Sequence, residues 1–119
     1  MPKSQQTRVK EWIASRLGPE HMTPRERALR VLEEALELAQ SEGVIMPDAF
    51  RLLQHVFGRP AGDPQQEAGA VGVCLMGWCA ARGLDHKAVV EQEIERIEAR
   101  TISEVRESVE RKRREGLTV

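Results

Sequence analysis

Residues 27–41 read R-A-L-R-V-L-E-E-A-L-E-L-A-Q-S, and this stretch decides the fold. Turned at about 100° per residue, it places Leu29, Leu32, Leu36 and Ala39 in one stripe, widened by Ala28, Val31, Ala35 and Leu38. Glu26, Glu33 and Glu37 line up on the other side. Glu34 lies on the border within a turn of Glu37, because residues three apart share a helix face. The stretch is an amphipathic helix whose apolar stripe needs neighbouring helices. Two readings fit its acids. They are the solvated face of a core helix, or they are a carboxylate cluster for a divalent cation, since E-E-A-L-E sets three like charges in five positions.

Composition agrees with a helical protein. The 119 residues suit one domain with a modest core. Only 3% of residues are aromatic and tyrosine is absent, which disfavours a sheet. Charged residues make up 31% yet the net charge is −1, which argues against a nucleic-acid binder working through bulk electrostatics. The polar start M-P-K-S-Q-Q-T-R does not read as a signal peptide. The longest uncharged run, Ala68 to Ala81, is 14 residues and too short to span a bilayer. Cys74 and Cys79 fall in that run, five apart on one predicted helix. They point different ways, so they read as buried, reduced thiols of a cytoplasmic protein and not as a disulfide or zinc pair.

Working outward, residues 4–17 predict a first helix, with Val9, Trp12, Ile13 and Leu17 on one side and Gly18-Pro19 as its end. Trp12 is either a core anchor or an aromatic that stacks on a base. Thr23-Pro24-Arg25-Glu26 is a capping box with proline at the first helical position, and Glu42-Gly43 closes the helix it starts. Met46-Pro47-Asp48 opens a short third helix with Ala49, Phe50, Leu53, Val56 and Phe57 on its apolar side. Asp63-Pro64-Gln65-Gln66 opens a fourth, from about 64 to 82, with Asp63 as its cap. Its body, E-A-G-A-V-G-V-C-L-M-G-W-C-A-A, is apolar all round and predicts a helix buried on every side. Gly69, Gly72 and Gly77 each cost about 1 kcal/mol of helix propensity, offset where they let neighbouring helices approach. So short a chain cannot easily surround such a helix, which implies a homo-oligomer. Glu67 heads the apolar run. It is explained by the helix dipole alone, or it joins the glutamates of the second helix in one site. A fifth helix runs from about His86 to Arg100, with Val89, Val90, Ile94 and Ile97 inward. It either continues through Ile102, Val105 and Val109 to about Arg114 or breaks at a capping box from Thr101 to Glu104. Arg111-Lys112-Arg113-Arg114 reads as a solvated basic tail before it reads as a nucleic-acid site.

An E-x-x-E helix followed by a glutamate that opens an apolar helix resembles the all-α nucleoside triphosphate pyrophosphohydrolases, the MazG-like superfamily. Glu34 and Glu37 match the E-x-x-E pair, with Glu33 before it. Glu67 matches the glutamate of the second motif, E-x-x-D, whose aspartate position holds Ala70 here. The resemblance covers roughly residues 8–100. It implies an all-α bundle of four to five helices in a single domain spanning 1–119, with a charged C-terminal extension from about 101.

The resemblance also implies a chemistry. The expected activity is Mg2+-dependent hydrolysis of a nucleoside triphosphate to the monophosphate and pyrophosphate, with Mn2+ as an alternative metal. Glu34, Glu37 and Glu67 are the expected metal ligands, Glu33 the expected catalytic base or an outer-shell group, and Trp12, Arg96 and Arg100 the expected contacts to base and phosphates. Hard oxygen ligands on two helices suit Mg2+, which lowers the pKa of an attacking water. Arginines offset the charge of the departing pyrophosphate. Asp63, four residues before Glu67, could lean toward the same site, though its capping role competes. The expected assembly is a homodimer or homotetramer. The alternative is a helical module that kept the fold and lost activity with the motif aspartate, serving as a nucleotide sensor or an oligomeric scaffold.

Overall fold

The caps named above are where the helices begin and end. The computed structural model describes residues 1–118 as six α-helices, with no strand among them. They are α1 (Gln5–Trp12), α2 (Pro24–Ser41), α3 (Met46–Phe57), α4 (Pro64–Arg82), α5 (His86–Glu98) and α6 (Ile102–Arg114). A π-helical segment, Ile13–Leu17, continues α1, and a 3-10 turn, Pro19–His21, leads toward α2. Between them Gly18 sits at φ 107°, a conformation that favours glycine. Asp63 caps α4, accepting a hydrogen bond from the Gln66 amide at 2.9 Å, and Gly83 closes that helix in the left-handed region at φ 70°.

Six helices stand where four to five were expected. The difference lies at Thr101, whose hydroxyl accepts from the Glu104 amide at 3.1 Å while Glu104 reaches back to the Thr101 amide. That reciprocal cap ends the preceding helix and begins α6 as a separate element.

The chain divides into two units. The first holds Met1–Val31 and the described residues from Lys87 onward. Its interior is formed by Ile13, Ile94 and Val105, with His21 and Glu26 buried beside them. One face of α1 is tied along α5. Gln5 donates to the Lys87 carbonyl at 3.0 Å, Arg8 bridges Glu91 at 2.5 Å and Glu98 at 2.7 Å, and the Trp12 indole N–H donates to the Ile97 carbonyl at 3.0 Å. Positions 5, 8 and 12 recur at helical spacing, and their partners advance with them, so the two helices run in the same direction. Packing of α6 and the 3-10 turn against the π segment closes the unit.

The second unit, Leu32–His86, carries the end of α2 with α3 and α4. Its tie is Glu42, whose carboxylate accepts from the Trp78 indole at 3.0 Å and pairs with Arg82 at 2.8 Å. Only Cys79 is buried among its residues, and Cys74, expected to be buried with it, is exposed because it lies on the other side of α4. The expectations of an inward stripe on α2 and an all-round burial of α4 are not met within one chain. Leu32 and Leu36 are each 48% exposed, and Val71, Val73 and Met76 on α4 are open as well. The apolar side of α3 is equally bare, from Phe50 to Phe57. The physical reason is that a helix apolar on all sides needs more neighbours than two other helices of the same unit supply. No described helix is long and apolar enough to cross a membrane.

Candidate carboxylate site

The helix that decided the fold also presents its acids. Glu34 and Glu37, three residues apart on α2, are both exposed, and Glu33 beside them is half-buried. Glu67 lies in the first turn of α4, where the positive end of the helix dipole favours a carboxylate. Its carboxylate folds over the preceding loop: a Cβ added at Gly62 would come within 2.9 Å of Glu67 Oε1. Asp63 is engaged as the cap of α4, so the capping role prevails over a lean toward the site. Among the described residues no three His, Cys, Asp or Glu side chains gather in an arrangement that could hold a metal ion. One chain therefore brings Glu34 and Glu37 together on one helix face and does not add Glu67 to them.

The three expected substrate contacts lie in the other unit, and two have work there. Trp12 gives its indole N–H to the Ile97 carbonyl, which joins α1 to α5. Arg96 makes a two-pronged ion pair with Glu93, at 2.9 Å through Nε and 2.5 Å through Nη2. Bonding to Arg96 is the main reason that the Glu93 carboxyl is held below the usual carboxylate range. A phosphate approaching Arg96 would compete with that carboxylate. Arg100 is half-buried and reaches the Glu104 carbonyl at 3.5 Å, the long limit of a hydrogen bond.

A buried polar cluster escaped the sequence reading. Glu26, assigned by periodicity to the solvated acidic line with Glu33 and Glu37, is only 2% exposed. Its Oε1 accepts from the Thr118 hydroxyl at 2.6 Å and lies 2.8 Å from His21 Nδ1. Its Oε2 is buried without a hydrogen-bond partner. Burial pushes the Glu26 carboxyl up, but the bonds from Thr118 and His21 and the charges of His21 and Arg27 outweigh it. The group ends below its ordinary value. Arg30, one turn further along α2, bonds the Leu117 carbonyl, so the segment after α6 is fastened at two points. Thr23 still caps the helix, accepting from the Glu26 amide at 3.3 Å. The return half of the expected capping box gives way to the buried cluster. Nothing local in the sequence marks this, because the partners lie five residues before Glu26 and 92 after it.

Comparisons with protein-family models, with curated proteins and with solved structures give no match.

Proposed function

We propose that this chain is a MazG-like, Mg2+-dependent nucleoside triphosphate pyrophosphohydrolase of the cytoplasm, working as a homodimer or homotetramer. The observation that carries the reading is the pair of exposed carboxylates, Glu34 and Glu37, set on one face of α2 within the E-E-x-x-E pattern. The donor set suits magnesium, which keeps several waters and takes one or two carboxylates together with substrate phosphates. A third protein ligand from the same chain is therefore not required. When bound, the metal supplies charge neutralisation at the phosphates and a lowered pKa for water. Glu34 and Glu37 are the residues that would hold the metal. Glu33, half-buried on the same helix, takes the proton of the attacking water. The resemblance alone assigns Glu67 as a further ligand, Arg96 and Arg100 as phosphate contacts and Trp12 as a base contact.

The second reading, a module that binds nucleotide or assembles without turnover, is favoured by two particulars. Ala70 stands at the position of the motif aspartate, and Arg96 is already committed to Glu93. One experiment separates the readings. Purified protein is given a panel of nucleoside triphosphates with Mg2+ or Mn2+, and pyrophosphate is measured. Release that Glu37→Gln abolishes supports the enzyme. An absence of release across the panel, with calorimetric binding of metal and nucleotide retained, supports the sensor, and an absence of both supports the scaffold.

A further inference from the structure

The second unit is strongly acidic for its size. Between residues 32 and 86, eight aspartates and glutamates stand against three arginines and no lysine, a net of −5, while the rest of the chain is net +4. Two of the three arginines are already paired, Arg51 with Asp48 and Arg82 with Glu42. Glu37 has no ion-pair partner among the described residues.

Beside that carboxylate, between the end of α2 and the first half of α3, lies a cavity of about 380 Å³. Ala39 and Ala49, both half-buried, form its floor, and Leu36, Ile45, Phe50 and Leu53 form its walls. The walls stand open to solvent, Ile45 by 60% and Phe50 by 56%. The lining residues of each helix are three and four positions apart, so the cavity runs along two helix faces. A trough of that form takes a third helix, whose ridge of side chains lies in the groove between the other two. Its volume accepts about two side chains of benzene size, since one fills about 150 Å³.

Charge narrows the choice of helix. Glu37 lines the cavity, and Glu33 lies one turn before it on the same face of α2. A second copy would bring the same acids to the same rim, and like charges oppose that pairing. The most basic helix of this chain, α6, already turns its apolar side inward, with Val105 2% exposed. An anionic membrane surface meets a net charge of the same sign. A helix with basic residues beside an apolar stripe complements both the lining and the rim.

We propose that the cavity between α2 and α3 docks a cationic amphipathic helix of a partner protein. Its apolar residues fill the space lined by Leu36, Phe50 and Leu53, and a lysine or arginine on its flank pairs with Glu37. The proposal goes beyond the pyrophosphohydrolase reading and does not rest on it.

Fluorescence anisotropy of the full chain in EDTA tests it, with the metal removed so that only the docking role of Glu37 is read. The probe is a labelled 18-residue leucine–lysine peptide patterned as an amphipathic helix, and its leucine–glutamate counterpart is the control. The leucine–lysine peptide is expected to bind with a micromolar Kd, and the leucine–glutamate peptide is not. Glu37→Lys and Leu53→Ser are each expected to weaken binding about tenfold. Glu107→Lys, the same charge change on an exposed site of α6, and Val73→Ser, which trims an exposed apolar side chain of α4, are expected to leave it unchanged. If Leu53→Ser loses its helical circular dichroism, Phe50→Ser reads the same cavity. No binding at millimolar peptide overturns the proposal, and so does equal binding of the leucine–glutamate peptide. Binding that Val73→Ser weakens as much as Leu53→Ser overturns it by moving the contact off the cavity. Sedimentation equilibrium in which Leu53→Ser dissociates a wild-type oligomer gives the cavity to a second copy instead. Binding to phosphatidylcholine vesicles that Leu53→Ser abolishes gives it to a membrane; either result overturns it. Pyrophosphate release with Mg2+ restored is read separately, so an inert protein that binds the peptide, or an active one that does not, assigns the failure to one reading.

Discussion

Glu26 is the position where the structure makes its sharpest energetic claim. Its carboxylate lies inside the first unit, 2% exposed, and one oxygen takes both the Thr118 hydroxyl at 2.6 Å and His21 Nδ1 at 2.8 Å. A hydrogen bond to a charged group contributes about 1.5–3 kcal/mol, so Thr118→Val should destabilise the protein by about 2 kcal/mol. Glu26→Gln keeps the shape and an acceptor but removes the charge that both partners favour, and should cost about the same. Glu26→Ala leaves His21 facing a void and should cost about 3–5 kcal/mol, as for a broken buried pair. Because Thr118 and Glu26 share one bond, Thr118→Val with Glu26→Gln should fall short of additivity by about 1 kcal/mol. The assay is urea unfolding followed by far-ultraviolet circular dichroism, at one fixed protein concentration. The dependence on pH supplies a second readout. The Glu26 carboxyl sits below its ordinary value of 4.5 in the folded chain. Its contribution is therefore complete above about pH 4.5 and is lost as the pH falls through the lower, folded value. The stability gap between wild type and Glu26→Gln should close as the pH falls below about 4.5, where the carboxyl takes up its proton. A Thr118→Val penalty under about 0.5 kcal/mol, or strictly additive double-variant energies, would refute the clasp.

Two further outcomes bear on the residues assigned to the site. Trp12→Phe should lower stability by about 1 kcal/mol through loss of the bond to the Ile97 carbonyl; a KM change for nucleotide without a stability change, in paired unfolding and pyrophosphate assays, would instead place the ring on the base. Gly62→Ala puts a methyl group 2.9 Å from Glu67 Oε1, so the flexible carboxylate must move while the fold stands; the Mg2+ concentration for half-maximal pyrophosphate release should rise severalfold, and an unchanged metal dependence removes Glu67 from the ligand set.

Helix boundaries were legible because caps are local chemistry. Asp63 and its proline start α4, Gly83 ends it, and the Thr101–Glu104 box separates α5 from α6, each decided by residues within a few positions. What covers a helix face is not local. Periodicity placed Leu32 and Leu36 on an apolar stripe, and the stripe exists, but half of each side chain is open, with Leu36 lining a cavity alongside Ile45, Phe50 and Leu53 instead of meeting a closed core. The same rule put Glu26 in line with Glu33 and Glu37. The three do align, yet the 3-10 turn and the segment after α6 reach only the first turns of α2. One face is thus buried at its head and exposed further along.

The candidate site shares this division. Glu34 and Glu37 are readable as a pair because one helix fixes their spacing, and the fold presents them as the spacing requires. Glu67 depends on what surrounds α4. In the single chain it is exposed and carries no cost of desolvation. Its charge answers to the first turn of α4, whose dipole favours it, and among the described residues it forms no three-carboxylate group with Glu34 and Glu37. Spacing within one helix is written in the sequence, whereas the meeting of two helices depends on packing that neither helix encodes alone.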